Sequence, residues 1–165
     1  MDNLRISDAI EAMISFFRGS LHDINHFIKV WGYAKLIGEK EGLDETALYI
    51  LELAAITHDI ACPACRAKYG SAIAERQEEE GALMVRDFLK PFSLASSVVD
   101  RISYLVGHHH TFDNIDGLDY QILVEADLIV NAEEKGFSLD NVKNTRDKLF
   151  RTKSGIAILN SIYGF

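Results

Sequence analysis

Residues 47–60 read ALYILELAAITHDI, a stretch in which Glu52 is the only polar interruption before the threonine, histidine and aspartate near its end. A helix that is apolar on all sides is buried at the centre of a domain. Asp44 lies just before the stretch and carries a side chain that caps helix N-termini well. We therefore predict a central buried helix here, with His58 and Asp59 at its C-terminal end.

The sequence on either side also repeats apolar residues at helical spacing, and strand patterns are weak throughout. His26 lies on the apolar stripe of residues 21–40, and Gly42 follows as a typical helix end. We therefore predict an all-α fold, a compact helical bundle. The other predicted elements are helices over residues 6–18 with Ser7 as N-cap, 71–89, 93–107 with Ser93 as N-cap, 120–132 and, as one or two helices, 138–163, and a loop over 61–70.

The composition is that of a globular protein with a core of its own. The 165 residues are 48% hydrophobic and 25% charged, which fits a single domain over residues 1–165. The net charge of −8 argues against long nucleic acids as partners, because neutralising phosphates needs clustered Lys and Arg. A small anionic substrate in a local pocket stays compatible with that charge.

We expect no membrane partner and a cytoplasmic location. The longest stretch free of Asp, Glu, Lys and Arg is residues 154–165, well short of the roughly 20 apolar residues that span a bilayer. The first residues, MDNLRISD, lack the apolar run of a signal peptide. Two cysteines cannot form a disulfide framework, so a reducing cytosol is the simplest compartment.

Three apolar helices each carry a polar side chain where a buried one is expected. Asp127 lies within QILVEADLIVNA, and a lone ionised carboxylate buried there would cost several kcal/mol. Taken singly, each has an ordinary explanation: His26 as a satisfied core residue, Asp127 as a helix cap or ion-pair partner. Taken together with His58 and Asp59, they indicate a shared cation. Two imidazoles and two carboxylates are a ligand set that suits Mn, Fe, Co, Ni or Mg, whereas structural zinc sites are rich in thiolates.

The order His26, His58-Asp59, Asp127 resembles the H…HD…D signature of the HD superfamily of metal-dependent phosphohydrolases. INHFIKVWGYAKLIGEKEGLD is similar to the helix of the family's first histidine, LELAAITHDI to its HD helix, and DYQILVEADLIVNA to the helix of its last aspartate. The resemblance covers about residues 20–135, and residues 138–165 are expected to pack on that core. A second pair, His22-Asp23, lies outside the signature. In this family the fold is an α-helical bundle around the metal.

The resemblance implies that His26, His58, Asp59 and Asp127 bind one divalent metal ion (Mn, Fe, Co, Ni or Mg). It also implies that Asp59 is catalytic, both as a ligand and by orienting the attacking water. A bound cation lowers the pKa of water and polarises a phosphoryl group, so attack at phosphorus becomes feasible at neutral pH.

The run His108-His109-His110 is a further feature, since binuclear members of the family carry additional histidines between the HD pair and the last aspartate. Two interpretations stay open for these three residues. They bind a second metal or a phosphate group, or they are solvated side chains of a polar loop. A further histidine of binuclear members is absent, because Gln77 stands at its place, and Glu78 is the neighbour that could substitute. We therefore expect one metal.

Basic residues near the signature are candidates for substrate binding. Lys29 follows His26 by one turn, and Arg66 and Lys68 follow the HD helix. Each could neutralise a substrate phosphate or lie on the surface. Arg101, which precedes the histidine run, belongs to the same group.

Cys62 and Cys65 form a CxxC motif three residues after Asp59. The motif has no second cysteine pair to complete a zinc site. It is either a pair of small residues beside a cleft or a redox-sensitive lid over the metal.

The prediction is a metal-dependent phosphohydrolase that cleaves a phosphate ester of a small metabolite, and a nucleotide is the expected substrate. Two alternatives stay open: a ligand-sensing or scaffolding HD module with little hydrolysis, and a di-iron oxygenase-type HD protein. The C-terminal stretch GIAILNSIYGF either closes the core or forms a homodimer face.

Overall fold

The structure, a computed structural model, describes residues 4–165. Those residues form nine α-helices and no strand, so the predicted all-α fold is confirmed. The helices are α1 Ile6–Phe16, α2 Leu21–Lys40, α3 Glu45–Thr57, α4 Cys62–Tyr69, α5 Ala74–Leu89, α6 Ser96–Val106, α7 Leu118–Glu134, α8 Leu139–Leu149 and α9 Lys153–Tyr163.

Helix α3 lies at the centre of the bundle, as its apolar sequence predicts. Every residue from Ile50 to Thr57 is buried, and the helix contacts α1, α2, α6 and α7. Asp44 caps it by accepting a hydrogen bond from the Ala47 amide at 2.8 Å. The one charge inside this buried stretch, Glu52, accepts hydrogen bonds from Trp31 Nε1 at 2.8 Å and Lys35 Nζ at 3.0 Å on α2.

Helices α2 and α7 pack against each other and against α3. This three-helix arrangement brings His26 and Asp127 next to the residues that follow α3. Helix α7 is buried over most of its length, including Glu125 and Asp127. Helices α5 and α6 form a second pair, which contacts α3 through α6.

The predicted loop over residues 61–70 is wrong, because most of it forms α4. Pro63 occupies the first turn of that helix, where a missing N–H costs nothing, and Gly70 ends it at a φ of 75°. Two predicted caps are also wrong. Ser7 lies inside α1 after the N-cap Arg5, and α6 begins at Ser96 after Ala95, three residues beyond Ser93.

Residues 138–163 form two helices, α8 and α9, whose N-caps are the side chains of Ser138 and Thr152. The buried carboxylate of Glu125 holds the junction between them. It accepts hydrogen bonds from the amides of Arg151 and Thr152 at 2.6 and 2.9 Å, and from the Thr152 hydroxyl at 2.5 Å. This contact fixes the C-terminal helices to α7.

The stretch Glu45–Tyr69 is long and apolar enough to cross a membrane by length and composition alone, and 72% of its most apolar window is buried. It comprises α3, the turn that follows it and α4, which is the pattern of a buried apolar helix in a soluble domain.

Candidate metal centre

His58 and Asp59 lie in the turn that joins α3 to α4, at the end of the central helix. The Nδ1–H of His58 donates to the carbonyl oxygen of Ala55 at 2.8 Å. A neutral imidazole that donates through Nδ1 keeps its lone pair on Nε2. The turn therefore presents Nε2 of His58 and the Asp59 carboxylate toward the space between α2 and α7.

His26 faces the same space from α2. Its Nδ1 lies 2.7 Å from Oε2 of Glu134, so the lone pair of the neutral ring is again on Nε2. Glu134 is itself held by Lys29, whose Nζ lies 2.8 Å from Oε1. Burial alone would raise the pKa of Glu134, but the hydrogen bonds from Lys29 and His26 lower it below its usual value.

Asp127 completes the group from α7. Its Oδ1 lies 3.2 Å from Nε2 of His26 and 3.6 Å from Nε2 of His58, and it accepts a hydrogen bond from Asn131 Nδ2 at 2.8 Å. The two imidazole Nε2 atoms are 3.1 Å apart. Oδ2 of Asp59 lies 3.3 Å from the first and 3.5 Å from the second. The four residues of the sequence signature thus meet around one point.

The imidazoles and carboxylates of this group shift one another's pKa values. Burial alone would lower the pKa of His26, but the hydrogen bond to Asp127 and the charge of Asp59 raise it to about 9. Burial would raise the pKa of Asp59, but the charge of His58 lowers it below its usual value. The two carboxylates therefore stay ionised and attract a positive charge, which a proton or a metal ion can supply.

A fifth ligand-type side chain reaches the group from the turn after α6. His109 is fully buried, and its Nδ1–H donates to the Val106 carbonyl at 2.7 Å. Its Nε2 lies 3.4 Å from Oδ1 of Asp59 and has no hydrogen-bond partner among the described residues. A buried nitrogen lone pair without a donor is costly, and a metal ion would satisfy it.

Side chains from two other helices hold this histidine turn in place. The Tyr120 hydroxyl, on α7, donates to the carbonyls of His108 and Thr111 at 2.7 and 2.5 Å. The Glu78 carboxylate, on α5, accepts from the His110 amide at 2.9 Å and from the Thr111 hydroxyl. Glu78 thus positions the turn rather than replacing the absent histidine.

The three consecutive histidines have different positions. His110 lines the cleft, and its Nε2–H donates to Oε1 of Gln77 at 3.0 Å. Burial and the neighbouring His109 lower the pKa of His110 to about 4. His108 does not line the cleft: its ring stacks on Tyr104, with ring centroids 4.1 Å apart, beside a separate surface groove. The structure therefore places His108 outside both the cleft lining and the groups of candidate ligands.

Two groups of ligand atoms share Asp59. In each group the candidate ligand atoms lie within 4.8 Å of one another: His26, His58 and Asp59 in the first, Asp59, His109 and His110 in the second. All of these positions are buried or half-buried. Neutral imidazoles and ionised carboxylates with no basic side chain among them are a donor set that fits divalent metal ions.

Only one of the predicted basic residues lies in the cleft. Arg66 lines it and is paired with the buried carboxylate of Asp23. Lys68 instead bonds Glu80 at 2.7 Å, with 60% of its side chain exposed. Lys29 binds Glu133 and Glu134 behind the His26 ring, so neither lysine lines the cleft that a substrate would enter. Arg101 is likewise remote, because it pairs with acidic side chains at positions 116 and 119.

The cleft has a volume of about 320 Å³ and contains residues that the sequence pattern did not single out. His22 and Asp23, outside the family signature, line it one turn before His26. Asp23 accepts hydrogen bonds from Ser20 at 2.6 Å and from Arg66.

The end of α7 contributes three further residues to the cleft lining, Asn131, Glu134 and Lys135. The i+4 and i+7 spacing from Asp127 was the available signal for Asn131 and Glu134.

The cysteines lie at the start of α4, and Cys62 lines the cleft. Both are buried free thiols, and they do not form a disulfide with each other. Burial raises the pKa of both thiols above the usual range, and the charge of Asp59 raises that of Cys62 further. Protonated buried thiols are poor nucleophiles, so the structure favours a packing role over a redox-sensitive lid.

Comparison with known proteins agrees with the helical fold. The HD domain family model matches residues 23–139, more than half of the chain. No curated protein shows a significant match. A crystal structure described as that of a predicted HD superfamily hydrolase, from an uncultured Thermotogales bacterium, superposes with a TM-score of 0.67 at 23% identity. The match covers 97% of this chain and 84% of that one.

Proposed function

The chain belongs to the HD domain family, and from that membership we propose that it is a metal-dependent phosphohydrolase acting on a phosphate ester of a small metabolite. HD domains bind divalent metals and form a superfamily of metal-dependent hydrolases. The expected location is the cytoplasm, and the expected partner is a small phosphorylated substrate.

The observation that carries the proposal is the arrangement of the imidazoles. His26, His58 and His109 each engage Nδ1 with an oxygen acceptor, at 2.7 to 2.8 Å. All three Nε2 atoms therefore face the carboxylates of Asp59 and Asp127 as lone-pair donors in the neutral rings. One divalent cation would satisfy these lone pairs and carboxylates together.

His26, His58, Asp59 and Asp127 would hold one divalent ion, of Mn, Fe, Co, Ni or Mg. When bound, such an ion lowers the pKa of water and polarises a phosphoryl oxygen. We propose this four-residue group as the principal site. The Asp59, His109 and His110 group has Gln77 where the binuclear pattern has a histidine, and therefore offers a weaker second site.

Asp59 is the residue best placed to act on the reacting atoms. One carboxylate oxygen, Oδ2, faces His26 and His58, and the other, Oδ1, faces His109. It lines the cleft with a fifth of its side chain exposed, whereas the Asp127 side chain is 5% exposed. Asp59 can therefore accept a proton from an attacking water molecule while keeping it oriented.

Arg66 would contact the phosphate of the substrate. Among residues 4–165, the cleft lining contains four carboxylates but, apart from histidines, only the two basic side chains of Arg66 and Lys135. A phosphate dianion would be repelled by those carboxylates without a divalent cation. The ion is therefore needed for substrate binding as well as for the chemistry, and Arg66 adds a directional, charge-assisted contact.

The second candidate is the di-iron oxygenase-type function. The Asp59, His109 and His110 group supplies two imidazoles and one carboxylate, a ligand set found in non-haem iron oxygenases. This candidate requires iron at both groups and consumption of oxygen, neither of which phosphate-ester hydrolysis requires.

One experiment tests the proposal. The purified protein is incubated with Mn, Co, Ni or Mg and a panel of phosphate esters that includes nucleotides, the substrates expected from the sequence, and released phosphate is measured. Asp59→Ala is compared with Asp113→Ala, an exposed residue of the loop after the histidine turn. We expect phosphate release by the wild type and Asp113→Ala and at least a 100-fold loss in Asp59→Ala.

Equal release by the wild type and Asp59→Ala would contradict the catalytic assignment. Oxygen consumption without phosphate release would favour the second candidate. Substrate binding without either activity would indicate a ligand-sensing or scaffolding module.

A further inference from the structure

The cleft beside the metal-binding residues has polar walls. Among the described side chains that line it, none is Phe, Tyr, Trp, Leu, Ile, Val or Met, and the apolar ones are Ala72 and Cys62. Its volume, about 320 Å³, lies at the lower end of the range for small-molecule sites. Such sites are usually lined mainly by apolar and aromatic residues, and this cleft departs from that rule.

Among the described residues that line the cleft, the rings are those of three histidines, and two of them, His26 and His110, are largely covered. His26 is 5% exposed, and the ring of His110 packs against that of His109 with centroids 4.0 Å apart. His22 has 72% of its side chain in solvent. A nucleobase is recognised largely through stacking on aromatic side chains. A nucleotide bound here would find no Phe, Tyr or Trp among the described lining residues, and His22 would be the one exposed ring beside its base.

The walls instead provide hydrogen-bond acceptors for hydroxyl groups. Asn131 donates through Nδ2 to Asp127, which leaves its amide oxygen available. The carboxylates of Asp23 and Glu134 border the same cleft and have accepting capacity beyond their present partners. Lys135 is exposed at the rim and forms no ion pair within residues 4–165. It can donate to a hydroxyl or carboxylate oxygen of a substrate.

Resting on the phosphohydrolase function proposed above, we infer that the substrate is a small hydroxyl-bearing phosphate monoester, such as a sugar or polyol phosphate, and not a nucleotide. Its phosphate lies at the metal-binding residues and Arg66. Its hydroxyl groups face Asp23, Asn131 and Glu134. In hydrolysis, the water oxygen forms a bond to phosphorus, the ester P–O bond breaks, and the alcohol leaves with the proton that the water gives up.

The test compares two compounds that differ by a nucleobase, ribose 5-phosphate and adenosine 5′-monophosphate. With the full-length protein and Mn²⁺, kcat/KM is measured for both and for the guanosine, cytidine and uridine monophosphates. We expect ribose 5-phosphate to exceed each nucleotide, by at least tenfold for the purine nucleotides. A nucleotide with a higher kcat/KM than ribose 5-phosphate would overturn the inference.

A variant tests whether the missing stacking surface causes the preference. Ala72 is half-buried in the cleft wall, and Ala72→Phe adds an aromatic face there. Stacking on one aromatic side chain is worth about 5- to 150-fold in affinity. In Ala72→Phe we expect the preference for ribose 5-phosphate over adenosine monophosphate to fall by at least fivefold, with Ala72→Ser as the matched control. An unchanged preference in a folded Ala72→Phe protein would contradict this cause.

Binding measurements separate this inference from the function on which it rests. The dissociation constants of ribose 5-phosphate, adenosine monophosphate and inorganic phosphate are measured by calorimetry on the Mn²⁺-loaded protein. If no ester is hydrolysed, the proposed phosphohydrolase function fails. Tighter binding of ribose 5-phosphate than of the nucleotide would still support the inferred ligand class, and tighter binding of the nucleotide would overturn it.

Discussion

Oε2 of Glu134 lies 2.7 Å from Nδ1 of His26, at the end of α7 opposite the first helix of the site. The carboxylate fixes the tautomer of the ring and turns Nε2 toward Asp59 and Asp127. Lys29 closes the chain with a 2.8 Å ion pair to Oε1 of the same carboxylate. Lys29, which the sequence suggested as a substrate contact, thus binds Glu134, and Glu134 in turn orients His26.

Removing the Glu134 carboxylate is predicted to weaken metal binding. Without that acceptor the His26 ring loses its orientation, and such losses typically cost about 10- to 100-fold in metal affinity. The dissociation constant for Mn²⁺ or Co²⁺ is measured for Glu134→Ala. Glu133→Ala is the matched control, since Glu133 also pairs with Lys29 but is 69% exposed. Affinities within twofold of each other in the two variants would contradict the role of Glu134.

Metal removal is predicted to lower the thermal stability of the protein. Chelation removes the cation that neutralises the carboxylates of Asp59 and Asp127, and a ligand at 100 times its dissociation constant adds about 2.7 kcal/mol of stability. For a domain of this size that corresponds to a decrease in Tm of roughly 5–10 °C with EDTA. Calorimetry on the wild type, with Mn²⁺ restored afterwards, measures this decrease. A similar decrease in Asp127→Ala would show that the chelator acts elsewhere.

Arg66 and Lys68 are predicted to differ although both follow the HD helix. Arg66 lines the cleft and Lys68 is bonded to Glu80 outside it. Because a charge-assisted contact to phosphate is lost, Arg66→Ala should raise KM by about tenfold or more. Lys68→Ala should leave KM within twofold. Steady-state kinetics on the preferred phosphate ester measure both, and a larger effect of Lys68→Ala would contradict this placement.

Glu125 is predicted to be a stability residue with no part in metal binding. Its carboxylate accepts hydrogen bonds from Gln121, Arg151 and Thr152, and the Glu125 side chain is fully buried. Removing one partner of a buried polar network leaves the others unsatisfied, so Glu125→Ala should destabilise the fold by about 3 kcal/mol. Urea unfolding measures the loss. Metal content per folded chain should match the wild type, and a reduced content would assign Glu125 to the site.

The cysteine pair is predicted to be insensitive to redox conditions. Burial raises the pKa of both thiols, which keeps them protonated and unreactive. Dithiothreitol and mild oxidant should therefore leave phosphate release unchanged in both the wild type and Cys62→Ser. A change in the wild type that is absent in Cys62→Ser would establish a redox-sensitive lid.

The sequence predicted the parts of the molecule that depend on local pattern. The apolar run ending at His58 identified the central helix, and the buried positions of Asp127 and His26 followed from the same spacing. The α4 helix was missed because Pro63 and two cysteines resemble a loop, although proline is well tolerated in a first turn.

The contacts that hold the metal-binding side chains and Arg66 in place could not be predicted from pattern. Glu134 contacts His26 across 108 positions of sequence, and Asp23 contacts Arg66 across 43. These pairs depend on how α2, α4 and α7 pack. The spacing from Asp127 places Glu134 on the same face of α7, but it does not show that His26 lies beside it. For the same reason the three consecutive histidines were indistinguishable in sequence, whereas the turn after α6 directs them to different sides.

Metal content measured by elemental analysis tests the central claim most directly. The wild-type protein is compared with the His58→Ala, Asp59→Ala double variant, with circular dichroism to verify that both are helical. We predict about one tightly bound divalent ion per wild-type chain and less than a tenth of that in the double variant. Equal metal content in two folded proteins would contradict the assignment of His58 and Asp59, and with it the proposed site.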